Sequence, residues 1–72
     1  MQSEQSDPQQ SDFPRAIGNP ATRALALAGY YQLEQLPHVS AKELLALHGV
    51  GPKAVRILRE LLAERGLAFK GE

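Results

Sequence analysis

The chain predicts an all-α fold, a compact bundle of four to five short helices, and three observations carry it. No segment alternates apolar and polar residues over strand length. Pro20 and Pro52 each stand where a helix takes its first turn, ahead of apolar residues at helical spacing. Ser40-Ala-Lys-Glu43 has the spacing of a capping box, in which side chain and backbone at the two ends satisfy each other.

In chain order, residues 1–12 hold no large apolar residue after Met1 and carry Glu4, Asp7 and Asp12. They are expected to form a disordered acidic tail, because they bury too little to offset their ordering entropy. The domain is expected over 13–72, with Phe13 and Ile17 laying its first segment on the core. Asn19 is expected to cap a first helix that runs from Pro20 to Ala28 and stops at Gly29. Its inner face would be Ala21, Leu25 and Ala28, with Leu27 beside it. Tyr30–Leu36 predicts a short helix or single turn ended by Pro37, with Leu33 and Leu36 inward. A third helix follows Ser40, carries Leu44, Leu45 and Leu47, and stops at His48-Gly49. The fourth runs from Pro52 to Arg65, with Gly66 as its stop. On it Ala54, Val55, Ile57, Leu58, Leu61 and Leu62 span roughly 160° of the helical wheel. Lys53, Arg56, Arg59, Glu60 and Glu64 hold the other arc, and Leu67 and Phe69 fold back to close the core.

Seventy-two residues make one small domain. The absence of cysteine leaves no disulfide framework and no thiolate metal site, and fits a reducing cytoplasm. No apolar run approaches the roughly 20 residues of a membrane span. The first residues lack the basic-then-apolar order of a secretory signal. The expected location is the cytoplasm, at the nucleoid where DNA is bound, and the expected state is a monomer. Net charge is zero, but residues 1–12 carry three acids and no base, while 13–72 carry all eight bases against five glutamates. A mildly basic body permits a polyanionic partner without requiring one.

The link between the third and fourth helices, Gly49-Val50-Gly51-Pro52-Lys53-Ala54, is the candidate site. Gly49 supplies the positive φ that ends one helix. Val50 plugs the groove between the two. Gly51 leaves no Cβ between backbone and ligand. The next helix opens with N–H groups that lack intrahelical partners and with the positive end of its dipole, a seat for an anion beside Lys53. Such contacts suit a phosphate and read no base directly. Arg56 and Arg59, further along, extend the grip, and Glu60 and Glu64 on the same arc weaken it. The link is neither a P-loop nor a dinucleotide fingerprint, since the required glycines and the preceding strand are missing. A tight helix–helix turn in a protein-interaction module accounts for the same residues.

Leu44-x-x-Leu47-x-Gly49-Val50-Gly51-Pro52-Lys53-Ala54, ahead of a helical apolar pattern, resembles the helix-hairpin-helix family. That family binds DNA without sequence specificity through hairpin backbone amides, from the minor-groove side. Leu25, Gly29-Tyr30-Tyr31-x-Leu33-x-x-Leu36, Glu43-Leu44-Leu45, the Gly51-x-Lys53 hairpin and Leu62-Ala63-x-Arg65-Gly66-Leu67 also follow the order of the C-terminal domain of the bacterial RNA polymerase alpha subunit. The likeness covers roughly residues 17–69 and implies a SAM-like helical bundle, here as a free-standing relative. It implies DNA contacts from Gly51 and Lys53. Ala54 stands where that domain has a serine. Pro20 stands where it has the arginine that enters the minor groove, and Arg23 where it has an asparagine contact; either Arg23 substitutes for the missing arginine or the minor-groove reading is lost. The implied partners are the phosphate backbone of double-stranded DNA and a transcription or DNA-processing protein. The nucleic-acid-binding set is therefore Gly49, Val50, Gly51, Lys53, Ala54, Arg56 and Arg23.

His38 and His48 stand ten residues apart without a third ligand, so no metal or cofactor is expected; His48 would cap helix three or lie near the phosphate. Tyr30-Tyr31 reads as one core and one half-exposed ring, with base stacking as the alternative. No nucleophile stands in a recognisable setting with a base, so the domain is read as non-catalytic. The alternative to DNA binding is a protein-interaction module that kept the fold, with Glu60 and Glu64 on its outer face.

Overall fold

The structure is a computed structural model that describes residues 11–72. Most of the segment read as an acidic tail, residues 1–10, lies outside the described residues. Asp12 lies within them, and its backbone N–H donates to the Tyr31 carbonyl at 2.9 Å. The described residues are all-helical and contain no strand. In order they form a 3₁₀ turn Arg15–Ile17, α1 Asn19–Leu27, a 3₁₀ segment Leu33–His38, α2 Ala41–Leu45 and α3 Pro52–Glu64.

Local chemistry sets each boundary. Ser40 and Glu43 form the capping box: Glu43 N–H donates to Ser40 Oγ at 3.0 Å, and Ser40 N–H to Glu43 Oε1 at 2.9 Å. α1 and α3 end alike. Gly29 N–H reaches the Ala26 carbonyl at 3.0 Å and Tyr30 N–H the Leu25 carbonyl at 2.8 Å. Gly66 and Leu67 repeat the pattern on Ala63 and Leu62, at 3.0 and 2.8 Å. Those bonds satisfy carbonyls that a bare helix end would leave without donors. Pro37 sits inside its 3₁₀ segment instead of ending it. The Val39 N–H closes a turn onto the Leu36 carbonyl, and Pro37 takes the second turn position, where no N–H is needed.

Further expectations change at both ends of α1 and at the end of α2. Asn19 is the first residue of α1 and not its cap. The preceding 3₁₀ turn runs straight into the helix, which puts Gly18 at the cap position, and the Thr22 hydroxyl donates to the Gly18 carbonyl at 3.0 Å. Ala28 is exposed, and the inner face of α1 is Ala21, Ala24 and Leu25. The helix has overrun the core by its last turn, and Leu27 is 90% exposed. α2 stops at Leu45, short of His48. Beyond it the bonding tightens to three-residue steps, Leu47 N–H to Leu44 and Val50 N–H to Leu47.

α3 is the central element. It packs on the 3₁₀ turn Arg15–Ile17, on α2 and on the 3₁₀ segment Leu33–His38. Ala54, Val55, Leu58 and Leu62 are its buried stripe, with Ile57 and Leu61 half-buried at the edges. Phe13 and Ile17 close one side of the core and Phe69, 1% exposed, another. Both Tyr30 and Tyr31 are half-buried, so neither is the expected core ring. Among the described residues no polar or charged side chain is buried, so no desolvation cost has to be met inside.

Candidate nucleic-acid interface

The loop between α2 and α3 is built by its own backbone and braced by α1. Gly49 has φ +102°, a conformation that L side chains rarely adopt. A Cβ there would also stand 2.9 Å from the Pro20 carbonyl oxygen and 3.6 Å from Ala24 Cβ. Gly49 is thus the point at which the loop seats on the first turn of α1. Val50 is 6% exposed and Ala54 4%, so both side chains face the core. The Val50 N–H is taken by the Leu47 carbonyl at 3.1 Å, against the expectation that Val50 contacts a ligand. Of the two, only the Ala54 N–H remains free among the described residues.

Gly51 differs from Gly49. Its φ of −109° and ψ of 177° are extended values open to any residue. A Cβ added at Gly51 would meet nothing within 4 Å. The fold therefore has no use for a glycine at 51, whereas it requires one at 49.

No side chain caps α3. Among the described residues the N–H groups of Gly49, Gly51, Lys53 and Ala54 have no hydrogen-bond partner. Lys53 and Arg56 are exposed one turn apart on α3, and Arg23 is exposed on α1. None of the three enters an ion pair among the described residues. Arg59 is committed elsewhere, against the expectation that it extends the grip. It donates to both carboxylate oxygens of Glu72, at 3.0 and 2.7 Å, and its guanidinium lies 5.7 Å from the Phe69 ring centre. Those bonds hold the Glu72 carboxyl below its ordinary range and raise Arg59.

Two stretches of the chain that meet at the loop carry bases without acids. Residues 13–33, which contain α1, include Arg15 and Arg23 and no carboxylate. Residues 44–59, which contain the loop, include His48, Lys53, Arg56 and Arg59 and again no carboxylate, although Arg59 is paired with Glu72 and Glu60 stands one turn after Arg56. Gly49 against Pro20 joins these two stretches. Beside that joint, Ala24, Leu27, Ala28, Leu47 and His48 line an open apolar groove. His48 is exposed and makes no hydrogen bond that would cap α2. Among the described residues no group of three metal-ligating side chains comes together. No helix among them is long and apolar enough to cross a membrane.

No protein-family model matches this chain, and neither a curated protein nor a solved structure does. Sequence reasoning had missed the Pro20 seat, the groove and the pairing of Arg59. Each joins residues distant in sequence, and no local spacing announces them.

Proposed function

We propose that the chain is a non-catalytic, helix-hairpin-helix-like module that holds the phosphate backbone of double-stranded DNA. One observation carries this reading. Unpartnered backbone N–H groups at Gly49 and Gly51 in the loop and at Lys53 and Ala54 in the first turn of α3 follow one another beside the Lys53 side chain. Backbone donors at a helix start suit a phosphate oxygen, and the helix dipole adds to the attraction. Gly51, which the fold does not need, leaves the backbone bare where a strand would approach. Lys53 is the nearest mobile cation, and Arg56 and Arg23 flank it on α3 and α1. Pro20, in the position the polymerase domain uses for base reading, supports weak sequence preference. The setting this implies is cytoplasmic and transcription-related, with the protein acting as a monomer.

The test is the salt dependence of binding to a short DNA duplex. With two or three phosphates engaged, the slope of log K against log salt is about −2 to −3, and affinity at moderate salt is on the order of 10⁻⁴ to 10⁻⁶ M. Lys53→Glu weakens binding and flattens the slope by about one or more. Wild-type binding that ignores salt, or none at low salt, overturns the proposal. A second reading, a protein-interaction module, has its own observation: Glu60 and Glu64 are exposed on the stripe of α3 that holds Arg56. Recovery of one stable protein partner after nuclease treatment, unchanged by Lys53→Glu, selects it.

A further inference from the structure

We infer that the apolar groove beside the hairpin receives the deoxyribose face of the bound strand and so makes the module prefer DNA to RNA. The inference rests on the DNA-backbone reading and assigns the groove, which that reading leaves unused. Ala24, Leu27, Ala28 and Leu47 line it, with His48 as its one polar side chain. Leu27 is 90% exposed and contributes nothing to the core.

Two observations name the occupant. The groove adjoins the start of the loop that carries the phosphate seat. Leu47 and His48 lead directly into Gly49, and Ala24 lies against both the groove and the position of a Gly49 Cβ. The surface is also complementary to an anion. Arg23 stands one helical turn before Leu27 on α1 and Lys53 opens α3 after the loop, both exposed and outside any ion pair among the described residues. An occupant must therefore present apolar surface next to negative charge. A DNA strand alternates phosphate with the C–H surface of deoxyribose, and partial burial of that surface stabilises the complex. RNA carries a 2′-hydroxyl there, which would lose water against four apolar side chains with His48 alone to replace it.

The experiment measures the affinity of the full chain for same-sequence DNA and RNA duplexes at low salt, with Leu27→Asn, Leu27→Met and Lys53→Glu alongside. Leu27 is outside the core, so circular dichroism of its variants stays that of the wild type. The expected result is tighter wild-type binding to DNA, a loss of about three- to tenfold for DNA in Leu27→Asn with RNA binding unchanged, and wild-type behaviour in Leu27→Met. Lys53→Glu weakens both ligands. If Leu27→Asn binds DNA like the wild type while Lys53→Glu does not, the groove assignment is wrong and the hairpin reading stands. If the wild type binds neither duplex, the hairpin reading fails and takes the groove with it.

Discussion

Gly49 and Gly51 differ by one intervening residue and by everything that surrounds them. At Gly49 an alanine meets both a positive φ and the Pro20 carbonyl oxygen at 2.9 Å. Gly49→Ala is expected to destabilise the fold by more than about 1 kcal/mol, read as a lower denaturation midpoint. At Gly51 an alanine meets open space at a negative φ. Its loss as a helix cap is offset by a stiffer unfolded chain, so Gly51→Ala leaves stability within about 0.5 kcal/mol. On the proposed reading, DNA binding by Gly51→Ala is expected to fall nonetheless, since the added methyl would stand where a strand would approach. Sequence spacing alone showed that this pair flanks a turn and that the first glycine ends a helix. It was silent on which glycine the fold requires, because that depends on Pro20, brought in from another helix.

At the scale of elements, what was legible was local. The Ser40–Glu43 box, the glycine stops of α1 and α3, and the apolar stripe of α3 all stand as short-range patterns in the chain. Ser40→Ala is expected to cost about 1 kcal/mol of stability, measured by thermal or chemical denaturation. The backbone N–H of Ser40, first, and its hydroxyl hold the Glu43 carboxyl below the ordinary 4.5. A lowered folded value stabilises the fold above pH 4.5 and is lost as pH falls through that lowered value. The wild type therefore loses melting temperature over that acid range more steeply than Glu43→Gln, which keeps the cap and cannot titrate. The early end of α2 was not legible. Leu47 keeps helical spacing with Leu44, and the tighter turns lead into Gly49 where it seats on α1. The joint after α1 was hidden too: Gln35 Oε1 accepts from the N–H groups of Tyr31 and Gln32, at 2.7 and 2.9 Å, while Nε2 donates to the Gly29 carbonyl at 3.0 Å.

Across the whole molecule, a small apolar core is finished by residues from its far end. Phe69 fills it, Lys70 N–H bonds the Val39 carbonyl at 2.9 Å, and Arg59 clasps Glu72 outside. A domain this short has little stability to lose. Phe69→Ala is expected to cost about 3–5 kcal/mol and leave the chain largely unfolded by circular dichroism. The central claim is that the 49–54 loop holds a phosphate backbone, and amide shifts during titration with a DNA duplex test it most directly. Binding at low salt is predicted to move the Gly49, Gly51, Lys53 and Ala54 amides first and to fade in Lys53→Glu. Amides at 49–54 that stay still, or shifts confined to the Glu60–Glu64 face of α3, would contradict it.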